Sequence, residues 1–361
     1  MKKMWTWLLV IGLLAACGRP VPKQAPASPK VFQNDLVLKT TPVRDQGNSP
    51  LCWVYAMVAT LETDRLMMGD SVTLSTDYVA RCLLQEEARR YFLSCGQTGI
   101  SLRGMPSMAL GVMDRQGMLP FDSYYHNKGT DIYTGGINYG VLCRKVEQVV
   151  RASASLDMAD RHVTDLLDRE VGVLPRITAM FGMTYTPLEF AHSICLPGDY
   201  EALTSFTHHP FGERFALETP DNQFHDSFLN VPIDTLMACI VNALRSGHAV
   251  CWEGDISESG FSFAQGYAMI PDGIETTQEA RQRLFDRLKT TDDHCMVLCG
   301  LAHDRQGHRF FIAKNSWGKD NPYGGFMYLS EDYIRLKTIA VYMRIERTNK
   351  DLLPLTKKLL F

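Results

Sequence analysis

The run Cys52-Trp53-Val54-Tyr55-Ala56-Met57-Val58-Ala59-Thr60-Leu61 is almost wholly apolar and contains neither glycine nor proline. It predicts a helix with apolar side chains on every side, which has to be buried and not laid on a surface. Whatever this chain folds into must wrap a central helix. Ser49 and Pro50 supply a start signal, Ser49 as the N-cap and Pro50 at the first helical position. Cys52 then falls in the first turn. There the positive end of the helix dipole favours thiolate over thiol, and the backbone N–H groups lack partners within the helix. From this segment alone, a buried structural thiol is an equal reading of Cys52.

The second half of the chain bears on that choice. His294 to His303 and His308 to Asn315 are two apolar, strand-like runs around Asp304-Arg305-Gln306-Gly307, the pattern of a β-hairpin. If His303 pairs with His308, Met296 falls opposite Asn315. His294 is then the diagonal neighbour of Asn315, and Trp317 lies opposite His294, shielding the pair from water. A thiolate nucleophile needs an adjacent imidazole, and the imidazole needs a third group to hold its ring. A developing oxyanion needs fixed donors. Cys52, His294 and Asn315 are the candidates for catalysis. The amide of Gln46, six residues before Cys52, is the candidate for an oxyanion hole together with the Cys52 N–H.

In this order and context the residues resemble those of the papain-like cysteine peptidases. The match runs through Gln46-Gly47 and Cys52-Trp53, then His294, then Asn315-Ser316-Trp317-Gly318. Leu74-Ser75 with Cys82, Arg103-Gly104-Met105-Pro106, and Ser246-Gly247-His248-Ala249-Val250 resemble intermediate landmarks of that family. Asn230-Val231-Pro232-Ile233-Asp234 leans toward its bleomycin-hydrolase or aminopeptidase-C branch. Departures are Ser49 for a cysteine, Pro50-Leu51 for small residues, and Arg103 for the first glycine of a pair. The resemblance implies an α+β, papain-like two-lobe fold, with the nucleophile helix in a helical lobe packed on an antiparallel β-rich lobe. It implies a peptide or protein substrate cleaved through a thioester acyl-enzyme, with Gly104, Met105 and Trp317 in substrate binding. A papain-fold amidase or acyl transferase using the same triad, or an inactive peptide-binding relative, are the alternatives. No cofactor is implied.

The N-terminus reads as a processing signal. Lys2-Lys3 precede an apolar core, and Leu14-Ala15-Ala16-Cys17 resembles a bacterial lipobox. Residues 1–16 are expected to be a lipoprotein signal peptide. Cys17 is the expected lipid attachment site, anchoring the protein to a membrane of the cell envelope, the outer membrane if the host is Gram-negative. Residues 17–38, with prolines at 20, 22, 26 and 29, are expected to be a tether. A peptidase domain spans 39–346, interrupted by an insertion at about 124–230 that either covers one end of the cleft or pads the helical lobe. Residues 347–361 form a tail. In the bleomycin-hydrolase branch that tail lies in the cleft; the leucines here favour a short surface helix instead.

With 361 residues, 45% of them hydrophobic, the chain has ample material for a core. Its net charge of -3 offers no electrostatic case for nucleic acid. Cys82 and Cys95 are the expected disulfide candidates, being in polar sequence, whereas Cys239, Cys251, Cys295 and Cys299 suit buried thiols. No metal is expected: no Cys-x-x-Cys spacing occurs, and His208-His209 has no second ligand pair nearby in sequence. The sequence leaves the oligomeric state open.

Overall fold

The computed structural model describes residues 30–124, 137–180 and 182–344. The expected signal peptide, Cys17 and the tail 347–361 lie outside the described residues. Helix α1 (Cys52–Met67) is the axis of the molecule. Trp53, Val54, Met57, Val58 and Leu61 are each at most 1% exposed. Its polar residues are buried too, so each needs an internal partner. Glu62 accepts from Thr41 Oγ1 at 2.6 Å, Arg44 Nη2 at 2.8 Å and the Leu74 N–H at 2.8 Å. Asp64 accepts from Tyr200 Oη at 2.5 Å and from the Ala249 N–H at 2.9 Å. These bonds tie the helix into both halves of the fold.

The helix starts later than its sequence signal suggests. Leu51 holds the cap position without a side-chain cap bond, and Cys52 is the first helical residue. The Ser49 N–H instead donates to the Gln46 carbonyl at 3.2 Å, closing a turn over the residues that would have capped the helix. The shift leaves Cys52 nearer the dipole's positive end than expected.

One side of α1 packs on helices α2 (Thr76–Leu93) and α3 (Pro106–Gln116); behind them α4 (Tyr139–Arg151) and α5 (Leu156–Glu170) pack on α2, and α6 (Pro187–Ile194) packs on α3. The Ser75 hydroxyl caps α2 by accepting from the Tyr78 N–H. The other side faces a sheet of eleven strands. They are β1 (Phe32–Val37), β4 (Tyr200–Thr204), β5 (Arg214–Ala216), β6 (Ser227–Asn230), β7 (Val250–Gly254), β8 (Phe261–Ser262), β9 (Tyr267–Ala268), β10 (His294–Asp304), β11 (Arg309–Lys314), β12 (Phe326–Ser330) and β13 (Thr338–Arg344). A separate hairpin joins β2 (Thr178–Met180) to β3 (Met183–Tyr185). Helices α7 (Ile233–Arg245), α8 (Gln278–Asp286) and α9 (Glu331–Lys337) complete the β-rich lobe. The order β5-β6-β4-β13-β7-β10-β11-β12-β9-β8 is antiparallel except at β4/β6 and β9/β12. This is the expected α+β arrangement.

Two boundaries differ from expectation. Phe32–Val37, assigned above to the tether, is a strand. The far half of β10 runs past β7, and its free edge is filled by β1, with Phe32 stacked on Tyr328 at 4.0 Å. The insertion at 124–230 is not one body. Its helices α4 and α5 pack on α2, while β4, β5 and β6 widen the sheet.

The β10–β11 hairpin holds a compensated error. His303 pairs with Arg309, one residue off the expected partner. A bulge between Leu298 and Gly300 then restores the expected register, pairing Leu298 with Ala313 and Val297 with Lys314. Gly300 has no alternative at that point: a Cβ there would lie 2.4 Å from the Leu36 carbonyl oxygen. Continuing the restored register sets Met296 opposite Asn315.

The nine cysteines among the described residues are all free. Cys82 is not in a loop but is buried inside α2, where burial pushes its thiol up to about 12. Cys95 is exposed beyond the end of that helix, so the expected pairing fails on placement.

Candidate active site

Five segments meet where α1 begins and β10 begins. His294 opens β10 and is 3% exposed; Asn315 follows β11 and is 2% exposed. His294 Nε2 and Asn315 Oδ1 are 2.8 Å apart. The same Oδ1 accepts from the Ser316 N–H at 2.7 Å. A backbone N–H is only ever a donor, so this bond fixes which end of the Asn315 amide faces the ring. An oxygen there requires His294 Nε2 to carry its proton and donate. In the neutral ring Nδ1 is then the atom left with a lone pair. Trp317 lies over the imidazole, ring centroids 4.6 Å apart, and is itself packed edge-on by Phe263 at 5.4 Å.

His294 and the thiol and backbone of Cys295 are the neighbours that hold the Cys52 pKa well below the ordinary thiol value. The Cys295 side chain is the largest cause; burial opposes it; the hydrogen bond and charge of His294 add to it. The thiolate therefore persists as pH falls beneath the usual thiol range and is lost only in more acid solution.

Gln46 is held from the other lobe. Its Oε1 accepts from Ser316 Oγ at 2.6 Å, and its backbone N–H donates to the Ser316 carbonyl at 2.8 Å. That orients the amide. Nε2 donates one hydrogen to the Ser49 carbonyl at 3.0 Å and keeps a second for another acceptor. The Gly318 N–H donates to the Arg44 carbonyl at 3.1 Å, so the Asn315–Gly318 segment clamps the Gln46 segment as well as the histidine.

Gly104 and Met105, expected in substrate binding, are both buried in the wall beside α1; Met105 is 0% exposed, with its sulfur accepting from Thr219 Oγ1 at 3.6 Å, so its side chain is not offered to a bound chain as expected. Trp53 fixes this wall by donating from Nε1 to the Leu102 carbonyl at 2.9 Å. A Cβ at Gly104 would lie 3.3 Å from the Trp53 ring and 2.5 Å from Met108 Sδ. Arg103 makes a two-point ion pair with Asp221, its Nε 3.0 Å from Oδ1 and its Nη2 3.1 Å from Oδ2. The insertion thus reaches the Leu102–Met105 segment at this point.

Two further acids sit beside the thiol. Glu253 is 0% exposed, and its Oε2 accepts from Tyr342 Oη at 2.9 Å. Burial, then the charge and hydrogen bond of Asp292, raise its pKa well above the carboxylate range. Burial and Asp292 thus bias Glu253 toward its neutral form, which limits the negative charge buried near Cys52. Sequence reasoning missed this pair. The available signal was a glutamate inside the apolar strand Val250–Gly254.

His208 and His209 acquire a partner the spacing did not reveal. Their Nε2 atoms lie 3.0 Å and 2.6 Å from the two oxygens of Glu218. His208 Nδ1 faces Gln282 Nε2 at 3.1 Å, while Gln282 Oε1 accepts from the Thr207 N–H at 2.6 Å. The amide orientation makes Nδ1 an acceptor and leaves the proton on Nε2, pointing at Glu218. The arrangement is a hydrogen-bonded clasp that brings ligand-capable atoms of His208, His209 and Glu218 within 4.8 Å of one another.

Residues 178–358 match the Peptidase C1-like family model. The match covers half the chain and includes His294 and Asn315. The chain belongs to the Peptidase C1-like family. Among curated family relatives, Aminopeptidase E of Lactobacillus helveticus is 28% identical over 163 residues, 41% of this chain and 36% of that protein. The mitochondrial Cysteine proteinase 1 of Saccharomyces cerevisiae (strain JAY291) is 22% identical over 389 residues, 90% of this chain and 78% of that protein. The match to Aminopeptidase E thus spans little more than a third of its length. The crystal structure of PepW from Lactobacillus rhamnosis superposes with a TM-score of 0.65 at 16% identity, covering 90% of this chain and 84% of that one. That likeness bears on the fold. It agrees with the papain-like architecture read from the sequence.

Proposed function

We propose that this protein is a cysteine peptidase in which Cys52, His294 and Asn315 act as a catalytic triad. The observation that carries the reading is the 2.8 Å hydrogen bond between His294 Nε2 and Asn315 Oδ1, with His294 among the groups that lower the Cys52 pKa. In this reading the Cys52 thiolate attacks the scissile carbonyl. His294, as imidazolium, protonates the leaving amine from Nδ1, then takes a proton from the water that hydrolyses the thioester. Asn315 is a positioning residue. The Cys52 N–H, unpaired at the helix start, and the second Gln46 N–H stabilise the oxyanion.

Gln46→Ala tests the last role. It is expected to lower kcat by about 10²–10³, with a much smaller change in KM, as for other oxyanion-hole donors. Because Ser316 also holds this side chain, thermal unfolding of the variant should be measured alongside. A kcat within a few-fold of the parent in a folded variant removes Gln46 from the mechanism.

The proposal extends to location. The lipobox-like Leu14–Cys17 supports export and acylation at Cys17, and Gly18 after it supports outer-membrane placement in a host with such a membrane. Among the described residues no helix is long and apolar enough to cross a bilayer, so in this account the membrane anchor is the lipid. Cys17→Ala should move the protein from the membrane fraction to the soluble fraction. Unchanged membrane association of that variant contradicts the assignment.

A further inference from the structure

Cys295 forms and breaks no bond in the proposed hydrolysis, yet it stands close to the reacting sulfur and does most to keep it ionised. It is the second residue of β10, 2% exposed, and shares a small cavity with Ala56 and Ala59 of α1, one to two turns on from Cys52. The two residues belong to different elements, the start of α1 and the start of β10, which pack directly on each other. Cys52 is half-buried and reachable from the cleft, whereas Cys295 is closed off behind it. A third thiol, Cys251, lies further back on β7 opposite Val297. The pattern is one accessible thiol with one protected thiol beside it, and it is the pattern of a peroxide-reactive cysteine beside its resolving cysteine.

We infer that Cys295 is a resolving cysteine, which captures oxidised Cys52 in a reversible Cys52–Cys295 disulfide. The inference rests on the reading of Cys52 as an accessible, ionised nucleophile. A hydroperoxide is the oxidant. The Cys52 thiolate attacks the nearer peroxide oxygen; the O–O bond breaks, the departing alkoxide or hydroxide takes up a proton, and Cys52 becomes a sulfenic acid. Sulfur is oxidised by two electrons and the peroxide is reduced. The Cys295 sulfur then attacks the Cys52 sulfur. The S–O bond breaks, and the leaving hydroxide accepts the Cys295 proton to form water. Thiol exchange with a reducing dithiol restores both cysteines and leaves the dithiol as a disulfide. The proximity matters because a sulfenic acid that meets no thiol can be oxidised further to a sulfinic acid, which ordinary thiols do not reverse. The low pKa of Cys52 supports the first step, since thiolate is the form that peroxide oxidises.

The test uses the folded full-length protein, hydrogen peroxide in small molar excess, and peptide mapping by mass spectrometry before and after dithiothreitol. The parent is expected to yield a Cys52–Cys295 cross-linked peptide, lighter by two hydrogens, and to regain nearly all of its starting activity on reduction. Cys295→Ala and Cys295→Ser, each normalised to its own untreated activity, should give no such peptide, accumulate Cys52 carrying two oxygens, and lose that recovery. The serine variant guards against an alanine protein that fails to fold. Parent protein that carries Cys52 to the sulfinic acid without the cross-link overturns the inference. So does a cross-link to Cys251, or full recovery in both variants. The cross-link is read by mass, independently of turnover. A protein that forms it but cleaves no peptide discredits the peptidase reading alone; one that cleaves peptides through Cys52 without forming it discredits this inference alone.

Discussion

Cys52→Ala is expected to abolish peptide hydrolysis, lowering kcat by roughly 10⁴–10⁶, the range found when a catalytic nucleophile is removed. The substitution deletes one sulfur from the first helical residue. It leaves α1 intact, because alanine is the best helix former and Cys52 makes no cap bond. Loss of activity should therefore come with little loss of thermal stability and with substrate binding retained. Retained turnover in purified Cys52→Ala protein removes the nucleophile from the account, whatever the geometry around it.

His294→Ala is expected to be nearly as damaging, at roughly 10⁴ in kcat, because one residue supplies both the ion-pair partner and the acid for the leaving amine. It also has a signature that a structural defect would not reproduce. The hydrogen bond and charge of His294 are two of the causes that lower the Cys52 pKa, and burial is the cause that raises it. Removing the imidazole tips that balance upward. The rate of thiol alkylation at Cys52 in the parent should hold as pH falls below the ordinary thiol range. In the variant the same profile should move to higher pH. Superimposed profiles in parent and variant would show that His294 does not sustain the thiolate.

The sequence announced the fold through features whose physics is local. An apolar run without glycine or proline has to be buried, and α1 is. Two strand-like runs around a glycine-containing turn have to pair, and β10 and β11 do. The hairpin also shows where such reading stops. Counting from the turn gave the wrong partner for His303, and only the bulge before Gly300 returned His294 and Asn315 to register. Nothing in a single chain signals a bulge forced by a third strand, here the Leu36 carbonyl pressing on Gly300. The same limit explains the start of α1. Ser49 is a good cap in isolation, but Gln46, itself held by Ser316 from the far lobe, claims the turn.

At the site, residue types were legible and their second partners were not. Asn315-Ser316 stood out as a holder for the histidine; that Ser316 also fixes Gln46 came from a contact across 270 positions. Met105 was read by its place in a motif, while its side chain answers to the core around Thr219. Cys295 was read as one more buried thiol because burial is common to cysteines. Only the packing of β10 on α1 makes it the neighbour of Cys52.

The most direct measurement of the central claim is mass mapping of the full-length protein after one equivalent of a peptidyl epoxide that alkylates thiolates. The account predicts a single adduct, on Cys52, formed at mildly acid as well as neutral pH and absent from His294→Ala at the acid end. Adducts on exposed Cys95 in preference to Cys52, or an unmodified Cys52 in folded protein, would contradict it.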